Sequence, residues 1–282
     1  MNFNPINDKL VVDEQRGLIK MKSITLDDLR LLFNYYSPLK TDQQLIEAYT
    51  KISQSNFDPS KDIRDIYNKL IQRGFLNESV IKAAFIEKFS FKQKPSHVVS
   101  VFELNTGSSR ADICMFNGKS MVFEIKTEYD TFTRLDRQLS DYKKAYEYLN
   151  LIIPKSKLSD ALDLLDEEIG IITYTTKNKR ILFETHKEPV LNHHIEPSFQ
   201  LDQLTKKQLE SIVNNPHLTK QELITIIRKT YNPTEINRFF IESMKSKYFS
   251  KWSYLYANKS KIKPLDYQWF FKNNISIEAV YS

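Results

Sequence analysis

The stretch from Arg110 to Thr127, RADICMFNGKSMVFEIKT, leaves few options besides a two-stranded hairpin set in a sheet. Two apolar runs of strand length flank Asn117-Gly118, a pair that accepts the positive φ a tight hairpin demands. Side chains of an extended strand alternate in direction, so Glu124 and Lys126 share one face while Phe123 and Ile125 share the other. Asp112 lies between Ala111 and Ile113, which are oriented for a core. A carboxylate on so apolar a strand calls for a charged partner, a metal or solvent, because burying it alone is costly. Carboxylates on strands hold Mg²⁺ through hard oxygen ligands, and a lysine beside them can orient or activate a water. Asp112, Glu124 and Lys126 therefore suit metal-dependent phosphodiester chemistry. The plainer alternative is a solvated face with a Glu–Lys pair.

The segments on either side predict an α/β fold. HVVSVFEL precedes the hairpin as a third strand, joined to it by NTGSS. A helix is expected from about 132 to 149, then a buried strand LNLIIP, a helix LSDALDLLDE, a strand GIITYT, a basic turn KNKR and an edge strand ILFET. Upstream, residues 24–89 read as helices. Thr25 caps LDDLRLLFNYY, Thr41 or Asp42 starts DQQLIEAYTKIS, Gly74 closes DIRDIYNKLIQRG, and Asn77 caps ESVIKAAFIEKF with apolar positions 80, 81, 84 and 85. Downstream of His193-His194, three capped helical runs follow, with breaks at Pro216 and Pro233. The expected organisation is a helical N-terminal region (1–76), a core of mixed sheet flanked by helices (77–190) and a basic helical C-terminal region (200–282).

Charge is unevenly spread. Residues 201–282 hold 13 Lys and Arg against 7 Asp and Glu, so the whole formal excess of +6 sits there. Such an appendage suits a polyanionic partner. The single cysteine, Cys114, rules out an intramolecular disulfide and fits a reducing, cytoplasmic setting. A catalytic cysteine needs a base beside it, which nothing in the sequence supplies. No apolar run reaches the length of a membrane span, and MNFNPINDKLVVDEQ has no basic start followed by an apolar stretch, so neither an anchor nor a secretory leader is expected.

The trio and its surroundings resemble the PD-(D/E)xK nuclease superfamily, the restriction-endonuclease-like fold. Asp112, Glu124 and Lys126 match its metal-site positions, with Ala111 standing where the pattern has proline. EIKTEYDTFTRLDRQLSDYKKAYEYLNLII is similar to a little-characterised bacterial group of that superfamily, matched at Asp130, Thr131, Arg134, Leu135, Gln138 and Tyr142, and at Glu103-Leu104. The resemblance spans roughly residues 77–176. It implies a metal-dependent phosphodiesterase, an endo- or exodeoxyribonuclease, using Mg²⁺ with Mn²⁺ as a substitute. Asp112, Glu124, the Ile125 carbonyl and Glu78 are the implied metal ligands, with Glu87 the competitor of Glu78. Lys126, Gln138 and Tyr142 join Asp112 and Glu124 as catalytic residues, and Arg134 is the substrate-binding one. Spacing by four puts Arg134, Gln138 and Tyr142 on one helical face. Glu103 is open between reaching the metal and holding Arg110, and Asp130 is expected to cap the helix after it.

The expected partner is nucleic acid, DNA before RNA, with no membrane. A cut across a duplex calls for two sites, which a homodimer would supply. A defence or mobile-element setting follows by analogy alone. The competing reading keeps the fold without turnover, as a nucleic-acid-binding or regulatory protein. Other chemistries find little footing. His193-His194 lacks the further ligands of a zinc set, and neither a phosphate-cradling glycine loop nor a serine elbow is present. Trp252, Tyr254 and Tyr256 read as core more readily than as a base-stacking platform. The pair around LTKQELITIIRK could be a helix-turn-helix, though its turn holds no glycine.

Overall fold

The computed structural model describes residues 24–281. The leader expectation and the first part of the 1–76 region lie outside the described residues. Two compact units emerge, residues 24–76 with 280–281, and residues 77–279.

The first unit is helical. α1 (Leu26–Tyr35) and α2 (Asp42–Ser53) each begin with a reciprocal capping box, Thr25 with Asp28 and Thr41 with Gln44, which satisfies two orphan N–H groups at each start. α3 (Ile63–Gly74) is capped by Asp62. Leu32, Leu45, Tyr67 and Ile71 fill the space between the helices. Arg64 is buried among them, paired with Asp42 at 3.1 Å and donating to the Pro38 carbonyl at 3.2 Å.

The second unit carries a six-stranded mixed sheet in the order β1 to β6. β1 (Val99–Thr106), β2 (Ser109–Phe116) and β3 (Ser120–Ile125) form an antiparallel meander. β4 (Tyr148–Pro154) and β5 (Gly170–Lys177) add in parallel, and β6 (Arg180–Lys187) closes the far edge antiparallel. The hairpin loop is Asn117–Lys119, and only Gly118 takes positive φ there, at +89°. Parallel neighbours require crossovers. α5 (Leu135–Lys143) supplies the first and α6 (Leu158–Leu164) the second. α5 is shorter than the expected 132–149, because Tyr148 and Leu149 are taken into the sheet beside Met121 and Val122.

Alternation along the strands sorts the two faces. On one, Phe123 and Phe183 pack on Phe85 of α4 (Glu78–Phe85), with ring centroids 4.7 and 5.7 Å away. On the other, Phe116 and Tyr146 meet Phe240 of α10 (Pro233–Ala257), both at 6.2 Å. The expected class, a mixed sheet flanked by helices with helical N- and C-terminal regions, is what the chain adopts. The remaining C-terminal helices are α7 (Pro197–Gln203), α8 (Lys206–Val213), α9 (Lys220–Thr230) and α11 (Tyr267–Asn273). They belong to the same compact unit as the sheet. Trp252 is fully buried and stacks on Phe91 at 5.4 Å, so it is core, while Tyr254 and Tyr256 are half-buried. Among the described residues no helix is long and apolar enough to cross a membrane.

Candidate active site

The site exists because two strands part. β2 and β3 pair only as far as Ile113 with Phe123. Past that point the N–H of Ile125 has no strand carbonyl to meet, and Oδ2 of Asp112 accepts it at 2.7 Å. A buried N–H seldom goes without an acceptor, so Asp112 stands in the gap as part of the backbone accounting. Lys126 sends its own N–H the opposite way, to the Ile152 carbonyl at 2.9 Å. Main-chain groups alternate along a strand, so the Ile125 carbonyl shares the gap with its N–H.

β1 bends its rules at the same level. Its pairing with β2 runs through Phe102–Ile113 and Leu104–Ala111 and omits Glu103, which lies opposite Asp112. Glu103 has φ +54°, the left-handed region that costs a residue with a Cβ on the order of 1 kcal/mol or more. That twist coincides with a buried carboxylate held by Lys82 and by Arg110 Nε, the latter at 2.5 Å. The choice between metal and Arg110 is thus partly answered: Glu103 does hold Arg110, and it also faces the acidic centre.

α4 reaches the gap from its own side of the sheet. Asn77 caps it, Glu78 opens it where the helix dipole favours an acid, and Lys82 follows one turn later on the same flank. Lys82 is almost wholly buried, its side chain 2% exposed, and its ammonium contacts Glu78, Glu103 and Asp112, the last at 3.0 Å. Burial works against its charge, but Asp112, Glu78 and Glu103 outweigh that and hold its pKa above the ordinary lysine range. The carboxyl of Asp112 is pushed well up, first by burial and then by the charges of Glu124 and Glu78, with Lys82 opposing. Burial also presses Glu78 upward, yet Lys82 prevails and its pKa falls.

α5 completes the other side. Glu124 receives Lys126 Nζ at 2.7 Å and Gln138 Nε2 at 2.5 Å on one oxygen, and the Tyr142 hydroxyl at 2.8 Å on the other. Lys126 Nζ also donates to Gln138 Oε1 at 2.9 Å. The Tyr142 hydroxyl is held protonated, its pKa raised by burial and by Glu124. Nearby Cys114 is buried, and burial pushes its thiol up to about 12.

Of the expected residues, Asp112, Glu124, Lys126, Gln138 and Tyr142 converge, and Glu78 joins Asp112. Among the described residues, Glu78, Glu103 and Asp112 form a set of carboxylates in which one oxygen from each lies within 4.8 Å of the others. Glu124 is not part of that set. Arg134 does not join the cluster. It precedes α5, is exposed, and makes no side-chain hydrogen bond or ion pair among the described residues. Glu87 faces elsewhere and accepts from Tyr267 at 2.9 Å. Asp130 does not cap α5. Its Oδ2 accepts the N–H and hydroxyl of Thr127 at 2.8 and 2.7 Å, because the chain leaving β3 turns before the helix begins. Lys82 was not foreseen. Its signal was there to read, as the one charge in the apolar run SVIKAAFI, four residues after Glu78.

A family model described as "Bacteriophage P4 protein cII" matches residues 72–269, which takes in α4, the whole sheet, the site and nearly all of α7 to α11. The chain belongs to the bacteriophage P4 protein cII family. Protein cII of Enterobacteria phage P4 is 24% identical over 180 residues, covering 61% of this chain and 68% of that protein. Among solved structures, a protein of unknown function from Silicibacter pomeroyi aligns over 44% of this chain and 85% of its own, with 15% identity and a TM-score of 0.29, too low to bear on the fold. The cII match begins five residues before Asn77 and so contains every residue of the candidate site.

The donor set suits a hard divalent cation. It is all oxygen, and three carboxylates lie close together. Mg²⁺ prefers such ligands. Asp112 with Glu78 and Glu103, or Asp112 with Glu124 and the Ile125 carbonyl, would hold it.

Proposed function

We propose that this protein is a metal-dependent nuclease that hydrolyses phosphodiester bonds, with DNA as its substrate and Mg²⁺ as its cofactor, Mn²⁺ being able to substitute. The observation that carries this reading is the convergence of Asp112, Glu124 and Lys126 at the parting of β2 and β3, flanked by two further acids. Bound there, the ion would stabilise charge on the scissile phosphate and lower the pKa of a water beside it. Lys126, fixed by Glu124 and Gln138, holds that water and takes part in moving its proton. Gln138 and Tyr142 are positioning residues that act through Glu124. Arg134, exposed at the mouth of α5, grips a substrate phosphate with its planar fork. The basic C-terminal helices add non-specific attraction to the polyanion. The naming of the family after a phage protein supports a mobile-element setting, and the lone buried Cys114 supports a reducing cytoplasmic one. A homodimer would supply the second active site for a duplex cut.

A second reading has its own support. The Lys82 ammonium lies among three of the carboxylates, as a permanent counter-ion would in a nucleic-acid-binding protein without turnover. A digestion panel separates the two: linear, circular and single-stranded DNA, and RNA, each with Mg²⁺ or Mn²⁺, using wild type and Asp112→Asn. Cleavage that needs metal and Asp112 supports the nuclease. Tight nucleic-acid binding with no cleavage of any substrate sinks it and favours the second reading.

A further inference from the structure

Three carboxylates, each with one oxygen within 4.8 Å of an oxygen of the other two, surround a position that one cation can share. The Nζ of Lys82 is at that position, since it is in contact with Glu78, Glu103 and Asp112 together. A small divalent ion bound to all three would need the same volume, and an ammonium and a dication at such separation repel strongly. The lysine is also anchored from behind. Its stem emerges from a helix whose Val80, Ile81, Ala83 and Phe85 are buried, and its head has a fourth polar neighbour, Gln268 Oε1, at 3.5 Å.

We propose that Lys82 is a built-in occupant of the divalent-metal position, so that the ammonium and the metal exclude each other. The inference rests on the metal-dependent reading above. In the metal-free protein the ammonium keeps three crowded carboxylates neutralised, which allows the site to fold without an ion. Metal enters only as Lys82 withdraws, towards Gln268 and the open side of Glu78, the exposed member of the trio. Glu103 does not lose all compensation on that withdrawal, because Arg110 remains on its second oxygen. Lys82 thereby sets how much metal is needed to load the site. Lys126 has no such role, since its partners are Glu124 and Gln138 rather than the trio.

The test is a calorimetric Mn²⁺ titration of the full chain in four forms, wild type, Lys82→Met, Lys82→Gln and Lys126→Met. Lys82→Gln keeps a donor for the carboxylates and guards against a misfolded Lys82→Met. Vacating the position should tighten Mn²⁺ binding by about tenfold or more in both Lys82 variants, while loss of the same charge at Lys126 should change it by no more than about threefold. Equal tightening by Lys82 and Lys126 variants, or none by either Lys82 variant, overturns the inference while leaving metal binding intact. If wild type binds no Mn²⁺ but the Lys82 variants do, the inference stands and the metal-dependent reading falls. If no form binds, both fall.

Discussion

The two sides of the candidate site are built in opposite ways. On the α4 side three carboxylates crowd one buried lysine, and Glu78, the outermost acid, is open to solvent. On the α5 side one carboxylate, Glu124, is saturated by three donors, Lys126, Gln138 and Tyr142. The first half has negative charge to spare, whereas the second has nearly every polar atom satisfied. A site meant to take up a cation needs the first. A site meant to hold a lysine still needs the second, because a fixed donor loses less freedom when it acts. The seam between them is Asp112, which touches Lys82 on one side and the Ile125 N–H on the other.

That contrast can be broken most sharply at the seam. Asp112→Asn should lower metal-stimulated cleavage by about 10³-fold, since a metal ligand and a charge are lost together. Circular dichroism should stay unchanged, because the amide oxygen can still accept from Ile125. Cleavage that persists would show that Asp112 is no ligand and that the acids around it only counter Lys82. Next, Lys126→Ala should slow cleavage by about 10²-fold with little change in Mn²⁺ affinity. A rate loss that more metal restores would instead make Lys126 part of metal binding and erase the division between the halves.

Tyr142→Phe probes the saturated side alone. It deletes one buried hydrogen bond to a carboxylate and should cost about 1.5–3 kcal/mol, read as a lowered denaturation midpoint in urea. An unchanged midpoint would mean that Glu124 is held by Gln138 and Lys126 without it. The smallest effect belongs to Arg134. Arg134→Ala should leave stability within about 0.5 kcal/mol. It should weaken DNA binding and reduce the salt slope by about one. An unaltered slope would remove Arg134 from the substrate path.

Much of this was legible before any coordinates, for identifiable reasons. Strand alternation placed Glu124 and Lys126 on one face, and the Asn-Gly turn placed Asp112 on the adjoining strand. Spacing by four brought Gln138 and Tyr142 to Glu124, whereas Arg134, the N-cap of α5, stays exposed and outside the cluster. Asp130 does not take the expected cap. An Asx side chain bonds whichever N–H is nearest, and here that is the N–H of Thr127 behind it rather than a helix ahead.

Local periodicity thus determined the class of fold, the hairpin, and the trio Asp112, Glu124 and Lys126, since each depends on residues close in sequence. The tertiary structure decided what surrounds that trio. Glu103 lies opposite Asp112 and takes φ +54° in a ladder that skips it, and no sequence rule assigns that conformation to glutamate. Lys82 enters the acidic centre 30 positions before Asp112, on a helix whose pattern said only that one side is apolar. Which buried charge meets which depends on where two helices and three strands converge. Those elements meet through apolar contacts between residues distant in sequence, such as Phe85 of α4 on Phe123 and Phe183 of the sheet.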